Sequence, residues 1–171
     1  MRVLFVCAGN ICRSPTAEGV LRGLIAEAEL HDEIEVESAG TGGWHVGDPP
    51  DPRSVAAAAD RGVELSGAAR QVDEADFEAF DLLVAMDRSN RDALLRLAPD
   101  EEARSRVRLL REWEPEPPET LSAPDAKRRS RQDLFDVPDP YYGGAEGFAE
   151  VVEIVERNCR ALLDDLGDGR P

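Results

Sequence analysis

The sequence predicts an α/β fold of three layers, in which a four-stranded parallel sheet carries helices on both faces. Four short apolar or alternating runs are separated along the chain by segments with helical spacing of apolar residues. Such alternation favours a parallel sheet, because parallel neighbours are joined by crossover helices that pack on the sheet. The length of 171 residues suits one hydrophobic core, so we expect a single domain over residues 1–171.

Hydrophobic patterning locates the strands. We predict them over residues 2–7, 33–38, 81–86 and 107–110. The first contains an uninterrupted Val-Leu-Phe-Val run at residues 3–6, as expected for a strand that is buried on both faces. The second alternates, so that Ile34 and Val36 would face the core while Glu35 and Glu37 face solvent. One exposed face suits a position at the edge of the sheet.

Spacing and end signals locate the helices. We predict them over residues 15–28, from Asp51 to Gly62, over 88–97, and from about 145 to 166. The first would have Ser14 as its N-cap and Pro15 at its first position, where the fixed φ of proline is tolerated. Asp51 and Pro52 would start the second helix, and Gly62 would end it.

The segment Cys7-Ala8-Gly9-Asn10-Ile11-Cys12-Arg13, called the Cys7 loop below, joins the first strand to the first helix. A loop curled at a helix N-terminus points backbone N–H groups inward, and the helix dipole adds positive charge, so the loop binds anions. Gly9 permits close approach of a ligand or a positive φ, and Asn10 tolerates a left-handed backbone. Arg13 adds a planar fork that matches two phosphate oxygens.

Cys7 is the candidate nucleophile of this loop. Cysteines at helix N-termini or beside arginine ionise more readily than free thiols, so we expect a thiolate at neutral pH. Ser14 would donate a hydrogen bond to this thiolate and improve it as a leaving group. The alternative is a structural cysteine at the end of a strand, because buried cysteine is common and Cys-x5-Arg alone occurs by chance.

Further segments resemble the low-molecular-weight protein tyrosine phosphatase family, in the family's order. They are Ser38-Ala39-Gly40-Thr41, Trp44-His45-Val46-Gly47, Pro49-Pro50-Asp51-Pro52-Arg53, Ala69-Arg70-Gln71, Met86-Asp87 and Asp139-Pro140-Tyr141-Tyr142-Gly143. A Cys-x5-Arg-Ser loop is also found in other phosphatase folds and in arsenate reductases. Its N-terminal position, together with the C-terminal Asp-Pro-Tyr-Tyr, is much more specific. The resemblance covers residue 1 to about 165, apart from about 115–135, and implies a flavodoxin-like strand order.

The resemblance implies hydrolysis of phosphotyrosine through a phosphocysteine, with Cys7 as nucleophile, Arg13 binding phosphate and Asp139 as general acid and base. Asp136 is the local competitor for the acid, but no Pro-Tyr-Tyr follows it. Supporting roles are implied for Ser38, beside Asn10, and for Asp87, which would orient Arg13. Substrate binding is implied for Ala8, Gly9, Asn10, Ile11, Cys12, Ser14, Trp44, Tyr141 and Tyr142.

Aromatic walls would select a flat phenyl ring over the shorter phosphoserine. By resemblance Trp44 and Tyr141 are the better wall candidates and Tyr142 the weaker; the alternative is that Trp44 only packs a loop. Relatives that hydrolyse phosphoarginine carry a smaller polar residue at the place of Ile11, so Ile11 favours phosphotyrosine.

Two positions of the chain raise separate questions. Some relatives have a histidine that braces the loop where this chain has Gly67, so that support is missing or supplied otherwise. Cys12 lies close to Cys7 in sequence, so oxidised Cys7 could be captured as a reversible disulfide; the alternative is that Cys12 packs under the loop. Cys159 is expected in the core.

The amino-acid composition limits the kinds of partner that we expect the chain to bind. The 36 acidic and 20 basic residues give a net charge of −16, which disfavours nucleic acid and anionic membranes. No apolar run approaches the ~20 residues of a membrane span, no signal peptide is evident, and three cysteines without framework spacing suggest a reducing cytoplasm. We expect a phosphotyrosine protein as partner, inorganic phosphate as product, and a monomer or weak dimer. No metal or cofactor is expected, because N–H groups and Arg13 already supply positive charge.

Residues 114–135, acidic and proline-rich and then basic, are predicted to form an exposed loop within the same domain. Three competing functions remain, and the first is a protein arginine phosphatase on the same scaffold, which Ile11 disfavours. Arsenate reduction on this scaffold needs further cysteines, and residues 75–91, where such relatives carry them, have none. An inactive phosphopeptide-binding module is disfavoured because Cys7, Arg13 and Asp139 are all present.

Overall fold

The computed structural model describes residues 1–115 and 134–167. The strands are β1 (Arg2–Cys7), β2 (Glu35–Gly40), β3 (Leu82–Ala85) and β4 (Val107–Leu109). The helices are α1 (Arg13–Glu27), α2 (Pro52–Ala59), α3 (Asp76–Ala79), α4 (Arg88–Leu97), α5 (Glu101–Ser105) and α6 (Ala145–Gly167), and a 3-10 helix spans Leu110–Trp113. The strands pair in parallel in the order β2-β1-β3-β4. This confirms the predicted four-stranded sheet with flavodoxin-like order.

Alternation along β1 produces the three layers. Val3 and Phe5 face one side of the sheet, where they pack in a core cluster with residues of α1 and α6. Leu4 and Val6 face the other side, in a second cluster that includes Leu94 of α4. Because β1 is central and covered on both faces, its apolar run has no polar interruption.

The edge position of β2 is confirmed, although the strand begins two residues later than predicted. Ile34 and Val36 are buried and Glu35 is exposed, whereas Glu37 is half-buried. The backbone N–H of Ile34 donates to Leu30 O at 3.0 Å. Residue 34 therefore still belongs to the turn that follows α1.

The predicted start of α1 is wrong. The helix begins at Arg13 with Cys12 in the N-cap position, so Ser14 lies inside the first turn. Ser14 does not cap the helix because its hydroxyl is directed to Cys7 and to Ala39 O. A serine before a proline is a common start signal, but here the serine serves the loop.

The two end signals of α2 act as predicted, although the regular helix ends at Ala59, three residues before Gly62. The side chain of Asp51 accepts a hydrogen bond from Arg53 N at 2.8 Å, as an N-cap does. Gly62 has a φ of 75°, and Val63 N donates to Ala58 O at 3.0 Å. This is the Schellman ending, which favours glycine in the left-handed position.

The topology brings the carboxyl ends of β1 and β3 together. Cys7 is the last residue of β1, and Asp87 follows β3 by two residues, while Val6 and Ala85 are partners in the sheet. Side chains from these two strand ends therefore meet at one edge, where ligands bind in open α/β sheets. No helix within the described residues is long and apolar enough to cross a membrane.

Most of the predicted exposed loop at 114–135 lies outside the described residues, including its basic stretch at 127–131. The short helices α3 and α5 were not predicted.

Candidate active site

The Cys7 loop wraps around the sulfur of its own first residue. Cys7 is buried at the end of β1, and the backbone N–H of Asn10 points at its Sγ across 3.3 Å. This geometry requires a φ of 56° at Asn10. The left-handed residue of the loop is therefore Asn10. Gly9 is not one of the described glycines that have a positive φ. An inward-pointing N–H favours an anionic sulfur.

Ser14 completes the contacts of Cys7. Its Oγ lies 3.0 Å from Cys7 Sγ and 3.2 Å from Ala39 O. The hydroxyl carries one proton, so at any moment it can donate a hydrogen bond either to the sulfur or to the carbonyl oxygen. The side chain of Asn10 donates to the same Oγ at 3.0 Å, so this oxygen is an acceptor and its own proton goes either to the sulfur or to Ala39 O.

Asn10 also ties the loop to its surroundings. Its Nδ2 donates to Ser38 Oγ at 2.8 Å, and its Oδ1 accepts from Arg70 N at 2.9 Å. Ser38 lies where the sequence placed it, beside Asn10. Its hydroxyl donates onward to Glu18 Oε2 at 2.5 Å.

Glu18 and Arg70 were missed by the sequence analysis as parts of this network. Glu18 accepts from Ser38, and it is also paired with Arg22. Gly67, where some relatives have a histidine, has a φ of 96°. A side chain would strain the backbone there. In this chain the hydroxyl of Ser38 is bonded to the carboxylate of Glu18.

Arg13 is held on three sides. Its Nη1 donates to Asp87 Oδ2 at 2.6 Å and to Val137 O at 3.1 Å, and its Nη2 donates to Asp139 Oδ2 at 3.0 Å. Burial opposes the charge of the guanidinium, but Cys7, Asp87 and Asp139 outweigh it and raise the pKa of Arg13 above its ordinary value. The arginine is therefore a fixed cation beside the thiol.

Asp87 is placed by secondary structure. It is the N-cap of α4, where its Oδ1 accepts from Asn90 N at 2.7 Å, and its other oxygen holds Arg13. One carboxylate thus bonds both the start of a helix and the fork of Arg13, and its orienting role stays a prediction.

Asp139 and Asp136 have separate partners. Asp139 is about half exposed, accepts from Tyr141 N at 3.1 Å and pairs with Arg13. Asp136 is engaged by Arg88, whose backbone N and guanidinium bond its carboxylate at 2.8 to 3.2 Å. Burial opposes ionisation of Asp136, but these bonds outweigh it and lower its pKa. Asp139 lines the cavity over Cys7 and Asp136 does not.

A cavity of about 460 Å³ opens over Cys7. Its walls are Cys7, Ala8, Gly9, Ile11, Cys12, Arg13, Trp44, His45, Asp139, Tyr141 and Tyr142. Ten of these residues were predicted to bind substrate or to act in catalysis. Two predicted binding residues, Asn10 and Ser14, lie behind the loop and do not line the cavity.

His45 is the wall residue that the sequence analysis missed. Its Nδ1 lies 3.0 Å from Asp48 Oδ2, and a Cβ added to Gly9 would approach its ring to 3.0 Å. The close packing of His45 on Gly9 therefore explains the glycine, rather than an unusual φ. The only sequence signal for His45 was its place next to Trp44.

The three aromatic walls differ in exposure. Trp44 is 70% exposed, Tyr141 39% and Tyr142 95%. The two tyrosine rings meet edge to face with their centroids 5.0 Å apart. Tyr142 is the most exposed of the three, and its lower rank as a wall residue stays a prediction.

Ile11 and Cys12 pack in a small apolar cluster with Ala69 and Phe148. Burial raises the pKa of Cys12 to about 11, with smaller effects from Ser54, which opposes it, and Asp51, which adds to it. All three cysteines are free thiols. Cys12 is therefore a neutral, packed thiol, and Cys159 lies in the main core as expected.

A family model described as low molecular weight phosphotyrosine protein phosphatase matches residues 2–170. A low molecular weight protein-tyrosine-phosphatase from Streptomyces coelicolor is 48% identical over 162 residues, which cover 95% of this chain and 91% of that protein.

Solved structures are similar over nearly the whole chain. A protein tyrosine phosphatase from Entamoeba histolytica, crystallised with Hepes in the active site, has a TM-score of 0.85 and 34% identity and covers 99% of this chain and 98% of its own. An arginine phosphatase from Drosophila has a TM-score of 0.81 and 29% identity, with 97% and 98% covered. The fold therefore does not by itself separate these two substrate classes.

Proposed function

The chain belongs to the low-molecular-weight phosphotyrosine protein phosphatase family and is a protein-tyrosine phosphatase, and from this premise we propose which residues carry the reaction. Cys7 is the nucleophile, Arg13 binds the phosphoryl group, and Asp139 is the general acid and base. One observation supports this most: a single cavity holds Cys7 Sγ at its floor with an ion pair of Arg13 and Asp139 beside it.

The first step forms the phosphocysteine. Cys7 thiolate attacks phosphorus, and the bond from phosphorus to the tyrosyl oxygen breaks as Asp139 gives its proton to that oxygen. Backbone N–H groups of the Cys7 loop and the fork of Arg13 hold the equatorial oxygens. Because Arg13 Nη2 is bonded to Asp139, the phosphate takes over that donor. The released carboxylate then takes up a proton from solvent, which it gives to the leaving oxygen.

The second step returns the thiolate. Asp139, now a carboxylate, removes a proton from a water molecule that attacks phosphorus, and the phosphorus–sulfur bond breaks. Ser14 stabilises the departing sulfur from 3.0 Å. The products are inorganic phosphate and free Cys7, with Asp139 protonated again.

Phosphotyrosine fits the walls better than phosphoarginine does. Ile11 presents an apolar side chain to the cavity, and Trp44 and Tyr141 offer flat rings. A phosphoarginine substrate carries N–H donors that the apolar side chain of Ile11 cannot accept. We therefore propose aromatic phosphomonoesters on proteins as the substrates.

The setting of the enzyme is also part of the proposal. A net charge of −16 supports protein partners over nucleic acid and anionic membranes. Three free thiols support a cytoplasmic location. We further propose that the chain is one domain, acting as a monomer or weak dimer.

Turnover of p-nitrophenyl phosphate in the presence of EDTA tests the chemistry, with Cys7→Ser as the variant. We expect the variant to lose activity to background, and retained turnover would reject the thiolate mechanism.

Peptides with phosphotyrosine, phosphoserine or phosphoarginine then test the substrate class. A higher kcat/KM for phosphoarginine would overturn the assignment of Ile11.

A further inference from the structure

Arg53, in the first turn of α2, reaches across to the segment that carries the general acid. Its Nε and Nη2 bond the carboxylate of Asp51 at 3.0 and 2.7 Å. Its Nη1 donates to Tyr141 O at 3.1 Å. The guanidinium also lies over the rings of Tyr141 and Phe148, with its carbon 5.5 and 4.6 Å from the two centroids. Arg53 therefore connects α2 to the acid segment by charge, hydrogen bond and ring contact.

The other end of this connection is the Cys7 loop. The backbone N–H of Asp51 donates to Ile11 O at 2.7 Å. Asp51 is buried, and the bond from the Arg53 side chain, opposed by burial, lowers its pKa so that it stays a carboxylate. The loop that holds the nucleophile is thus fixed to Asp51, and Asp51 is fixed to Arg53.

Tyr141, which is bonded to Arg53, is in turn bonded to Asp139. Tyr141 N donates to Asp139 Oδ1 at 3.1 Å, while Arg13 holds Asp139 Oδ2 at 3.0 Å. In the proposed reaction the phosphate takes Arg13 from Asp139. Of the hydrogen bonds that the described residues make to Asp139, the one from Tyr141 then remains. The position of the acid relative to the sulfur depends on Tyr141 at that moment.

We propose that Arg53 is a positioning residue, which sets the distance between Asp139 and Cys7 by joining Tyr141 to the Cys7 loop through Asp51. This inference rests on the proposed role of Asp139 as general acid. Arg53 does not touch the reacting atoms in it; the residue acts through the backbone of Tyr141. A guanidinium is needed because its fork bonds Asp51 on one side while a third nitrogen reaches Tyr141 O.

The test is the dependence of kcat/KM on the leaving group in Arg53→Ala. Phenyl phosphate needs a proton on its leaving oxygen, whereas 2,4-dinitrophenyl phosphate leaves as a stable anion. We expect about a tenfold loss on phenyl phosphate and less than about a twofold loss on the dinitrophenyl ester, because misplacing an acid forfeits part of a typical 10²–10⁴-fold contribution. Equal losses on both substrates would overturn the inference.

Arg61→Ala is the matched control. Arg61 is exposed to a similar degree, 44% against 46%, and it also pairs with a carboxylate, that of Glu156. It contacts α6 away from the cavity. We expect the dependence of its kcat/KM on the leaving group to match that of the unmodified enzyme. A steeper dependence in Arg61→Ala would mean that loss of any surface arginine has the same effect, and would overturn the inference.

Asp139→Asn separates this inference from the proposed function. If Asp139 is the acid, Asp139→Asn alone makes kcat/KM depend more steeply on the leaving group. Adding Arg53→Ala to this variant then has no further effect on the slope of that dependence. No change in Asp139→Asn would reject the proposed function itself. A slope that steepens further in the double variant would reject only the role of Arg53.

Arg53→Lys provides a second variant in case Arg53→Ala melts below the assay temperature. Lysine keeps the charge but has one ammonium group in place of the fork, so it cannot bond Asp51 and Tyr141 O together. We expect the slope to steepen in Arg53→Lys too, with the rate of Cys7 alkylation unchanged. A slope identical to that of the unmodified enzyme would contradict the inference.

Discussion

Ser14→Ala gives the most specific prediction about the two chemical steps. The hydroxyl is fully buried and lies 3.0 Å from Cys7 Sγ. Its main effect is expected where the sulfur leaves phosphorus and regains its negative charge. A hydrogen bond to a charged group contributes about 1.5–3 kcal/mol, which corresponds to roughly 10- to 150-fold in rate.

The assay is rapid mixing with p-nitrophenyl phosphate. Because the second step slows in Ser14→Ala, the phosphocysteine accumulates. We expect a burst of nitrophenol approaching one per active site, followed by turnover that is about 10- to 150-fold slower than normal.

Ser54→Ala is the matched control, because Ser54 is also buried but acts on the pKa of the other loop cysteine, Cys12. We expect its turnover to stay within about threefold of normal, since sites without a role in the chemistry change rates little. The reasoning is refuted if Ser14→Ala turns over at nearly the normal rate, or if Ser54→Ala shows the same burst and loss.

Three further predictions follow from other contacts of the site. Arg13→Lys should lower kcat/KM by at least about 10²-fold, since an ammonium lacks the planar fork that pairs with two phosphoryl oxygens side by side. Steady-state kinetics with phosphotyrosine peptide measure this, and a loss below tenfold would contradict it. Burial raises the pKa of Cys12 from 9.0 to about 11. As pH rises, the thiol therefore ionises in the unfolded chain before it ionises in the folded one. The free energy of unfolding should consequently fall as pH rises from about 9 to about 11. Urea unfolding should show a shallower fall in Cys12→Ser, and an unchanged slope would remove Cys12 as a cause. Ile11→Thr should raise the ratio of phosphoarginine to phosphotyrosine kcat/KM, measured on matched peptides, and an unchanged ratio would show that Ile11 does not set the choice.

The fold could be predicted largely from periodic patterns. β1 and α6 have long, consistent signals because each buries a whole face in the core. The four-residue α3 is too short for a helical period to show. The start of α1 was misplaced because Ser14 has the chemistry of an N-cap, yet a contact with Cys7, seven residues away in sequence, uses its hydroxyl.

The site was predictable where its residues are close in sequence or match family segments. The Cys7 loop follows from local chemistry, and Asp139 from the Asp-Pro-Tyr-Tyr segment. Glu18 and Arg53 could not be assigned roles, because what they do depends on contacts with Ser38 and Tyr141 that only the fold creates. No local pattern marks such a residue as different from an ordinary surface charge.

The most direct test of the account is the rate at which iodoacetate labels each cysteine at mildly acidic pH. A sulfur that faces the Asn10 N–H and Ser14, near the cation of Arg13, predicts that Cys7 is alkylated much faster than a free thiol such as N-acetylcysteine, while Cys12, with its raised pKa, stays unlabelled. Peptide mapping by mass spectrometry distinguishes the two positions. Labelling of Cys7 no faster than the free thiol would contradict the account, because the loop would then not hold an ionised sulfur.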